Sequence, residues 1–256
     1  MQVERTNVNR DITDKEKYQQ LGQRWYDASD DPIALLRSQN QLTTPWILAE
    51  IRKYIGYHAE ILDIGCGAGF FANEAAKAEH KVTGVDIAEN ALQVAAAHDE
   101  TKSVRYMAAD AYALPFARES FDVVVAMDLL EHVSDPQKII FEASRVLRPG
   151  GLFFFHTFNR NRWSFLFVIK GMQWFVKNTT RETHVYSLFR KPQEVDEWVN
   201  NAGMDIQIMR GTAPIIFQKA FWKLLRTREV PKNFKFKWTK STSSSYLGYA
   251  KKLREH

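Results

Sequence analysis

Ile61-Leu62-Asp63-Ile64-Gly65-Cys66-Gly67-Ala68-Gly69 is the stretch that decides the fold of this chain. It begins as a buried strand, and three alternating glycines follow at once. Glycine allows tight turns and lets a ligand approach the backbone closely. Asp63 precedes the first glycine by two residues, so we expect the loop to hold a ligand that carries a cationic group.

Strand-like and helical runs alternate on either side of this loop. Short turns separate them, which is typical of an α/β fold with a parallel sheet covered on both faces. The runs lie at residues 60–64, 70–78, 81–85, 91–97, 104–108, 121–126, 139–147 and 152–157, followed by a helix from about 192 and strands at 204–209 and 245–251.

Two further aspartates follow the next strands along the chain. Asp86 ends the second strand, where a carboxylate can accept hydrogen bonds from ribose hydroxyls. Asp110 follows the third strand, where its side chain could accept from an adenine amine. An adenosine ligand carrying a cationic amino acid satisfies Asp63, Asp86 and Asp110 together. A dinucleotide would place its pyrophosphate on the loop, where Asp63 would oppose it. The alternative is that each aspartate is only a turn or cap residue.

These motifs resemble the class I S-adenosylmethionine-dependent methyltransferases over residues 55–157. The resemblance implies a Rossmann-like sheet of seven strands, mostly parallel with an antiparallel last strand, and helices on both faces. It also implies S-adenosylmethionine as cofactor, contacted by Asp63, Gly65, Cys66, Gly67, Gly69, Asp86, Ile87, Asp110, Ala111 and Met127.

A second group of polar residues follows the fourth strand. If residues 128–133 form a helical turn, Asp128, Glu131 and His132 lie at i, i+3 and i+4 and share one face. Two carboxylates and an imidazole can hold a divalent cation: Mg²⁺ prefers the oxygens, and the histidine favours a transition metal. The alternative is an ordinary turn in which His132 is hydrogen-bonded locally.

Other segments resemble the O-methyltransferase family of ubiquinone biosynthesis, which methylates polyprenylated hydroxyphenols. The similar segments are 23–27, 128–136, 156–161, 183–184 and 189–192. The resemblance implies a phenolic acceptor, a metal at Asp128, Glu131 and His132, and catalytic roles for Glu131 and His132. The first of these residues is Asp here, where the family has Glu.

The charge of the chain changes sign along its length. Residues 1–159 contain 16 Lys/Arg and 23 Asp/Glu, whereas residues 160–256 contain 19 and 7.

Two predicted helices in the basic part carry aligned basic residues. In a helix over 162–177, Arg162, Lys170, Gln173 and Lys177 share a narrow arc, and Lys219, Lys223 and Arg226 align in a second helix over 215–226. Basic residues beside aromatics suit a helix in an anionic membrane interface. The alternatives are a lid over the active site, with which membrane contact is compatible, or a solvated basic tail. Nucleic acid binding does not fit, because the aromatics lie on apolar faces.

The predicted organisation is an N-terminal helical extension over residues 1–55, with breaks at Asp30-Asp31-Pro32 and near Pro45, followed by a methyltransferase domain over 56–256. Basic aromatic insertions are predicted at about 162–190 and 213–240. The single cysteine, Cys66, favours a reducing cytoplasm, and we expect neither a signal peptide nor a spanning helix.

Three functional hypotheses follow from these features. The first is a cytoplasmic O-methyltransferase of ubiquinone biosynthesis at the inner face of the membrane, with a quinone-biosynthesis complex as a candidate partner and no nucleic acid partner. The second is a methyltransferase for another small acceptor. The third is a catalytically weak, membrane-associated subunit that binds the cofactor.

Overall fold

Eight strands form one sheet at the centre of the molecule. The computed structural model describes Tyr18, residues 20–180 and residues 183–254, so residues 1–17 of the predicted extension lie outside the described residues. The strands are β1 Glu60–Ile64, β2 Lys81–Asp86, β3 Arg105–Ala108, β4 Phe121–Met127, β5 Leu147–Phe158, β6 Met204–Pro214, β7 Phe236–Thr239 and β8 Ser245–Lys252.

The strand order is β3-β2-β1-β4-β5-β8-β6-β7. Strands β1 to β5 are parallel, and β8 enters antiparallel between β5 and β6. The Rossmann-like sheet with an antiparallel last strand is therefore confirmed, but it has eight strands in place of the predicted seven. The additional strand is β7, which pairs antiparallel with β6 and lies within the insertion predicted at about 213–240.

Helices and short helical turns connect the strands. The described ones are α1 Arg24–Asp27, α2 Ile33–Tyr54, α3 Phe70–Lys77, α4 Glu89–Ala97, α5 Pro136–Val146, α6 Arg162–Ser164, a π-helix Phe165–Lys170, α7 Gly171–Phe175, a 3₁₀ turn Tyr186–Leu188, α8 Pro192–Asn201 and α9 Lys219–Thr227.

The N-terminal helices differ from the prediction at one proline. The break at Asp30-Asp31-Pro32 is present, and the Asp31 carboxylate accepts a hydrogen bond from the Ile33 N–H. No break occurs at Pro45, because α2 continues through it. A proline inside a helix costs about 3 kcal/mol, and burying one large apolar side chain contributes about 1.5–3 kcal/mol. Ile47 and Ile51, both completely buried on the next turns, offset that cost.

The core lies on both faces of the sheet. One cluster contains Phe153 and Phe155 of β5 and the apolar face of α5. The other contains Phe154 and packs α2 and α3 onto the opposite face. Strand order reverses between β1 and β4, and a ligand cleft in an open parallel sheet lies at the carboxyl ends of the strands at such a point.

Candidate functional site

One cavity of about 840 Å³ opens at the carboxyl ends of β1, β2 and β4. Helix α2 and the segments after β5 and β6 complete its walls. The structure brings together here every predicted site residue except Gly69, namely Asp63, Gly65, Cys66, Gly67, Asp86, Ile87, Asp110, Ala111, Met127, Asp128, Glu131 and His132.

Gly69 does not line the cavity but lies at the end of the glycine loop that does. It precedes α3 with φ of 78°, a left-handed conformation that favours glycine. A Cβ atom here would lie 2.3 Å from the Tyr106 hydroxyl and 2.9 Å from the Ala95 Cβ. Its role in the structure is therefore to let the loop turn into α3 close to β3 and α4.

Asp63 and Asp86 form the acidic end of the cavity. Asp63 is buried, and this burial, together with the nearby Asp86 carboxylate, raises its pKa to about 8. Burial also raises the pKa of Asp86, although its carboxylate accepts hydrogen bonds from the N–H groups of Gly67 and Ala88, both at 2.8 Å. Asp86 thus fixes the glycine loop, and Asp63 leaves an acidic group that a cation can stabilise.

The remaining predicted cofactor contacts surround this acidic pair. Asp110 is exposed after β3, and its Oδ1 accepts a hydrogen bond of 2.8 Å from the Tyr112 N–H. Ala111 is next to it in sequence, and the exposed Ile87 follows Asp86. Met127 is the last residue of β4. These residues form the mouth of the cleft on both sides of the loop.

The segment after β4 is a non-helical turn, so the predicted i, i+3, i+4 arrangement of Asp128, Glu131 and His132 is wrong. Asp128 has a left-handed φ of 53°. Glu131 is buried, and its Oε2 accepts a hydrogen bond of 2.7 Å from the Thr157 hydroxyl. Burial and the Asp128 carboxylate raise the pKa of Glu131. The Nε2 atom of His132 lies 3.3 Å from the Tyr18 hydroxyl.

A different histidine joins the two carboxylates. Potential ligand atoms of Asp128, Glu131 and His156 all lie within 4.8 Å of one another. His156 is fully buried near the end of β5, and its Nδ1 is 2.6 Å from Asp128 Oδ1. Burial alone would lower the pKa of His156, but the neighbouring carboxylates raise it. Gln39 of α2 approaches His156 Nε2 at 2.9 Å.

Arg190 holds the turn that carries Glu131 and His132. Its guanidinium is buried and donates hydrogen bonds to the carbonyl oxygens of Leu130, at 3.3 Å, and Val133, at 2.7 Å. The Tyr246 hydroxyl in turn donates to the Arg190 carbonyl at 2.9 Å. The two bonds flank Glu131 and His132, so Arg190 determines where both side chains point.

The far wall of the cavity is apolar. It is built from both segments predicted as basic aromatic insertions, through Phe167, Val168, Met172, Phe175, Phe221, Leu224, Leu225, Phe234 and Phe236. The first segment is helical only to Phe175, and residues 165–170 form a π-helix. A π-helix has more residues per turn than an α-helix, so the predicted arc of basic residues is wrong. Lys177 lies beyond the helix and pairs with Glu229.

Comparison with known proteins identifies the family of this chain. A model of the methyltransferase domain family matches residues 62–155. A ubiquinone biosynthesis O-methyltransferase of Hahella chejuensis is 38% identical over 206 residues, which cover 79% of this chain and 85% of that protein. Another, from Nitrosospira multiformis, is 34% identical and covers 82% and 87%. The chain belongs to the ubiquinone biosynthesis O-methyltransferase family. It is an S-adenosylmethionine-dependent methyltransferase.

Structural comparison supports the same fold. A magnesium protoporphyrin IX methyltransferase from Synechocystis, solved with bound SAH, superposes with a TM-score of 0.65. The match covers 96% of this chain and 99% of that one, at 15% identity. Such low identity shows the fold alone. Within the described residues, every helix is too short or too polar to cross a bilayer.

Several residues of the site are not predicted by sequence reasoning. His156 lies 28 positions from Asp128, but β4 and β5 pair in parallel with Met127 opposite His156. The signal available in the sequence is that both strands end at the same edge of the sheet. Trp25, whose ring lies 3.0 Å from the position of a Cβ on Gly67, belongs to the segment 23–27 that resembles the family, but the sequence does not indicate that it packs on the loop. For Gln39 of α2 the sequence carries no signal.

Proposed function

We propose that this chain transfers the methyl group of S-adenosylmethionine to a phenolic hydroxyl of a polyprenylated precursor of ubiquinone. One continuous cavity supports this proposal most directly. It has Asp63 and Asp86 at an acidic end, His132 in its lining and an apolar far wall. Relatives named for O-methylation in ubiquinone biosynthesis support the choice of acceptor.

The acidic end suits the methyl donor. In this proposal the Asp63 carboxylate pairs with the cationic amino group of the donor, and Asp86 accepts from the ribose hydroxyls. Asp110 meets the adenine amine at the exposed mouth. Gly65, Gly67 and Gly69 let the loop pass close to the donor, and Cys66, Ile87, Ala111 and Met127 line its sides.

Methyl transfer is an in-line displacement. The phenol gives its proton to His132, the oxygen attacks the methyl carbon, and the electron pair of the C–S bond goes to sulfur, which leaves as S-adenosylhomocysteine. Alignment of oxygen, carbon and sulfur accounts for much of the rate enhancement. His132 lines the cavity and contacts Tyr18, so it accepts the proton of the acceptor, and the buried Glu131 beside it helps to orient the acceptor.

A divalent cation fits the carboxylates of Asp128 and Glu131. The Glu131 Oε1 atom is buried and has no hydrogen-bond partner within the described part of the chain, which leaves it a lone pair for a ligand. A bound cation acts as a Lewis acid and lowers the pKa of a coordinated phenol.

The acceptor tail is tested by comparing two acceptors. Purified protein with S-adenosylmethionine is given a farnesylated hydroxyphenol or the same ring without the tail, and methylated product is measured by mass spectrometry. Each buried methylene contributes about 0.8 kcal/mol, so we expect kcat/KM for the tailed acceptor to be at least about 100-fold higher. Equal values for the two acceptors, or methylation of neither, would contradict the proposed acceptor class.

The two insertions, at about 162–190 and 213–240, are proposed to form a lid that also contacts an anionic membrane. Large apolar side chains are exposed on both, with 62% of Phe167, 89% of Phe217 and 62% of Trp222 accessible. Phe167 also lines the cavity, so this surface adjoins the acceptor site. Lys219, Lys223 and Arg226 of α9 supply cations for anionic lipid. A lipidic acceptor would then enter from the bilayer into a protein on the cytoplasmic side, alone or within a quinone-biosynthesis complex.

Replacing Phe217 and Trp222 together with serine is expected to weaken binding to phosphatidylglycerol vesicles by at least about tenfold, because each exposed aromatic loses about 1.5–3 kcal/mol of burial. Co-sedimentation measures the effect. Phe141→Ser is the matched control, since Phe141 is 41% exposed on α5, outside the insertions. Equal sedimentation of the double variant and the control would contradict membrane contact through this surface.

A further inference from the structure

We propose that the divalent-cation site is completed by His156 of β5, together with Asp128 and Glu131, and that His132 is not a ligand. The inference rests on the proposed function only for the purpose of the cation. Measurements of metal binding identify the ligands without any assay of methyl transfer.

The two carboxylates provide a place for a cation. Asp128 and Glu131 come from one turn, and an oxygen of each lies within 4.8 Å of the other and of a nitrogen of His156. Two carboxylates this close repel one another when both are ionised. The buried Glu131 Oε1 atom lacks a hydrogen-bond partner among the described residues. A divalent cation relieves both the repulsion and the unsatisfied oxygen.

His156 is positioned as the third ligand by the sheet. Its Nδ1 atom points at Asp128 Oδ1 across 2.6 Å, and the Asp128 N–H donates to the His156 carbonyl at 3.2 Å. The two donor atoms need to separate by less than about 1 Å to share one cation, because two atoms ligated at about 2.0–2.2 Å lie roughly 3–3.5 Å apart. The ring is fully buried, so its orientation is fixed.

Gln39 packs over the ring of His156. Its side-chain amide lies 2.9 Å from Nε2 and 3.4 Å from Nδ1. A group this close to both ring nitrogens lies over the face of the imidazole and not in line with Nε2–H. Gln39 therefore helps to hold the ring in place, with Nδ1 directed at Asp128.

His132 is occupied elsewhere. Its Nε2 contacts the Tyr18 hydroxyl at 3.3 Å, and its ring lies 5.7 Å from that of His184. The group of ligand atoms within 4.8 Å does not include it among the described residues. His132 therefore lines the acceptor cavity as a base, while the imidazole that binds the cation comes from the neighbouring strand.

The ligand set also predicts the class of cation. Two carboxylates and one imidazole mix hard and intermediate donors, so Co²⁺ and Mn²⁺ fit this site better than Mg²⁺, which prefers oxygen alone. We expect the wild-type protein to bind Co²⁺ at least about tenfold more tightly than Mg²⁺.

The test compares His156→Asn with His132→Asn in the full chain. Asparagine at 156 keeps a group that can donate to Asp128 but removes the imidazole. Isothermal titration with Co²⁺ is expected to show an affinity loss of at least about 100-fold for His156→Asn and of less than about threefold for His132→Asn. Loss of a residue that only contacts a ligand lowers metal affinity by about 10- to 100-fold, so a larger loss identifies a ligand. Binding of S-adenosylhomocysteine, unchanged in both variants, confirms folding.

Pulsed EPR of the Mn²⁺-loaded protein keeps the proposal falsifiable if His156→Asn does not fold. A ¹⁴N coupling that persists in His132→Asn supports His156 as the ligand. Loss of that coupling in His132→Asn overturns the inference, as does a wild-type protein that binds neither cation. Methyl transfer is assayed separately, so failure of the site and failure of the proposed function are distinguishable.

Discussion

Replacing His132 with alanine is expected to lower kcat by about 10²- to 10⁴-fold, the usual contribution of a general base. The affinity for S-adenosylmethionine should stay unchanged, because His132 is on the turn after β4 and Asp63 and Asp86 are on β1 and β2. Turnover is measured with a prenylated hydroxyphenol, and donor affinity by isothermal titration. This result would separate a residue that accepts the proton from one that only shapes the cavity.

The pH profile distinguishes the two roles further. A phenol ionises near pH 10, about as tyrosine does. Without its base, the variant depends on phenolate formed in solution, so its kcat should rise by about tenfold per pH unit below that value. His98→Ala is the matched control, since the His98 ring stacks on Tyr26 at 3.6 Å and does not belong to the lining of the cavity. A His132→Ala enzyme within about fivefold of wild type at neutral pH would rule out the general-base role.

Replacing Asp63 with asparagine is expected to weaken binding of S-adenosylmethionine by about 10- to 100-fold, because a charge-assisted hydrogen bond contributes about 1.5–3 kcal/mol. Asparagine retains an oxygen for the backbone hydrogen bond that Asp63 accepts from Ala72, so the loop should keep its shape. The loss of donor affinity therefore measures the contribution of the Asp63 charge.

The pH dependence of donor affinity has a definite sign. In the free protein the pKa of Asp63 is raised to about 8. The cationic donor favours the carboxylate, so binding below this pH releases a proton, and affinity should increase with pH. The increase is at most about tenfold per unit between about pH 6 and 7.5. Titrations in two buffers of different ionisation enthalpy measure the proton release.

Two comparisons complete this experiment. Asp63→Asn has no proton to release, so its affinity should be independent of pH over the same interval. Glu89→Gln removes an exposed carboxylate from the first turn of α4 and should behave as wild type. If the Asp63→Asn variant shows the same slope as wild type, the proton comes from another group and the assignment of Asp63 to the donor's amino group fails.

The sheet could be predicted from the sequence because its signals are local. A buried run such as Glu60–Ile64 and a proline at the first turn of a helix, as in Pro136–Val146, act within a few residues. Strand β7 has no such signal, since its four residues are ordered by pairing with β6. Helix α2 passes through Pro45 because distant core residues bury Ile47 and Ile51.

The sequence by itself determined the family, the order of strands and helices, and the acidic residues around the glycine loop. Each depends on residue types at short spacing, and the chain's periodicity carries that information. Only the tertiary structure decided which histidine joins Asp128 and Glu131. Parallel pairing of β4 with β5 places His156 at the edge where Asp128 begins its turn. The turn is not helical, so His132 contacts Tyr18 and does not join the group of ligand atoms formed by Asp128, Glu131 and His156.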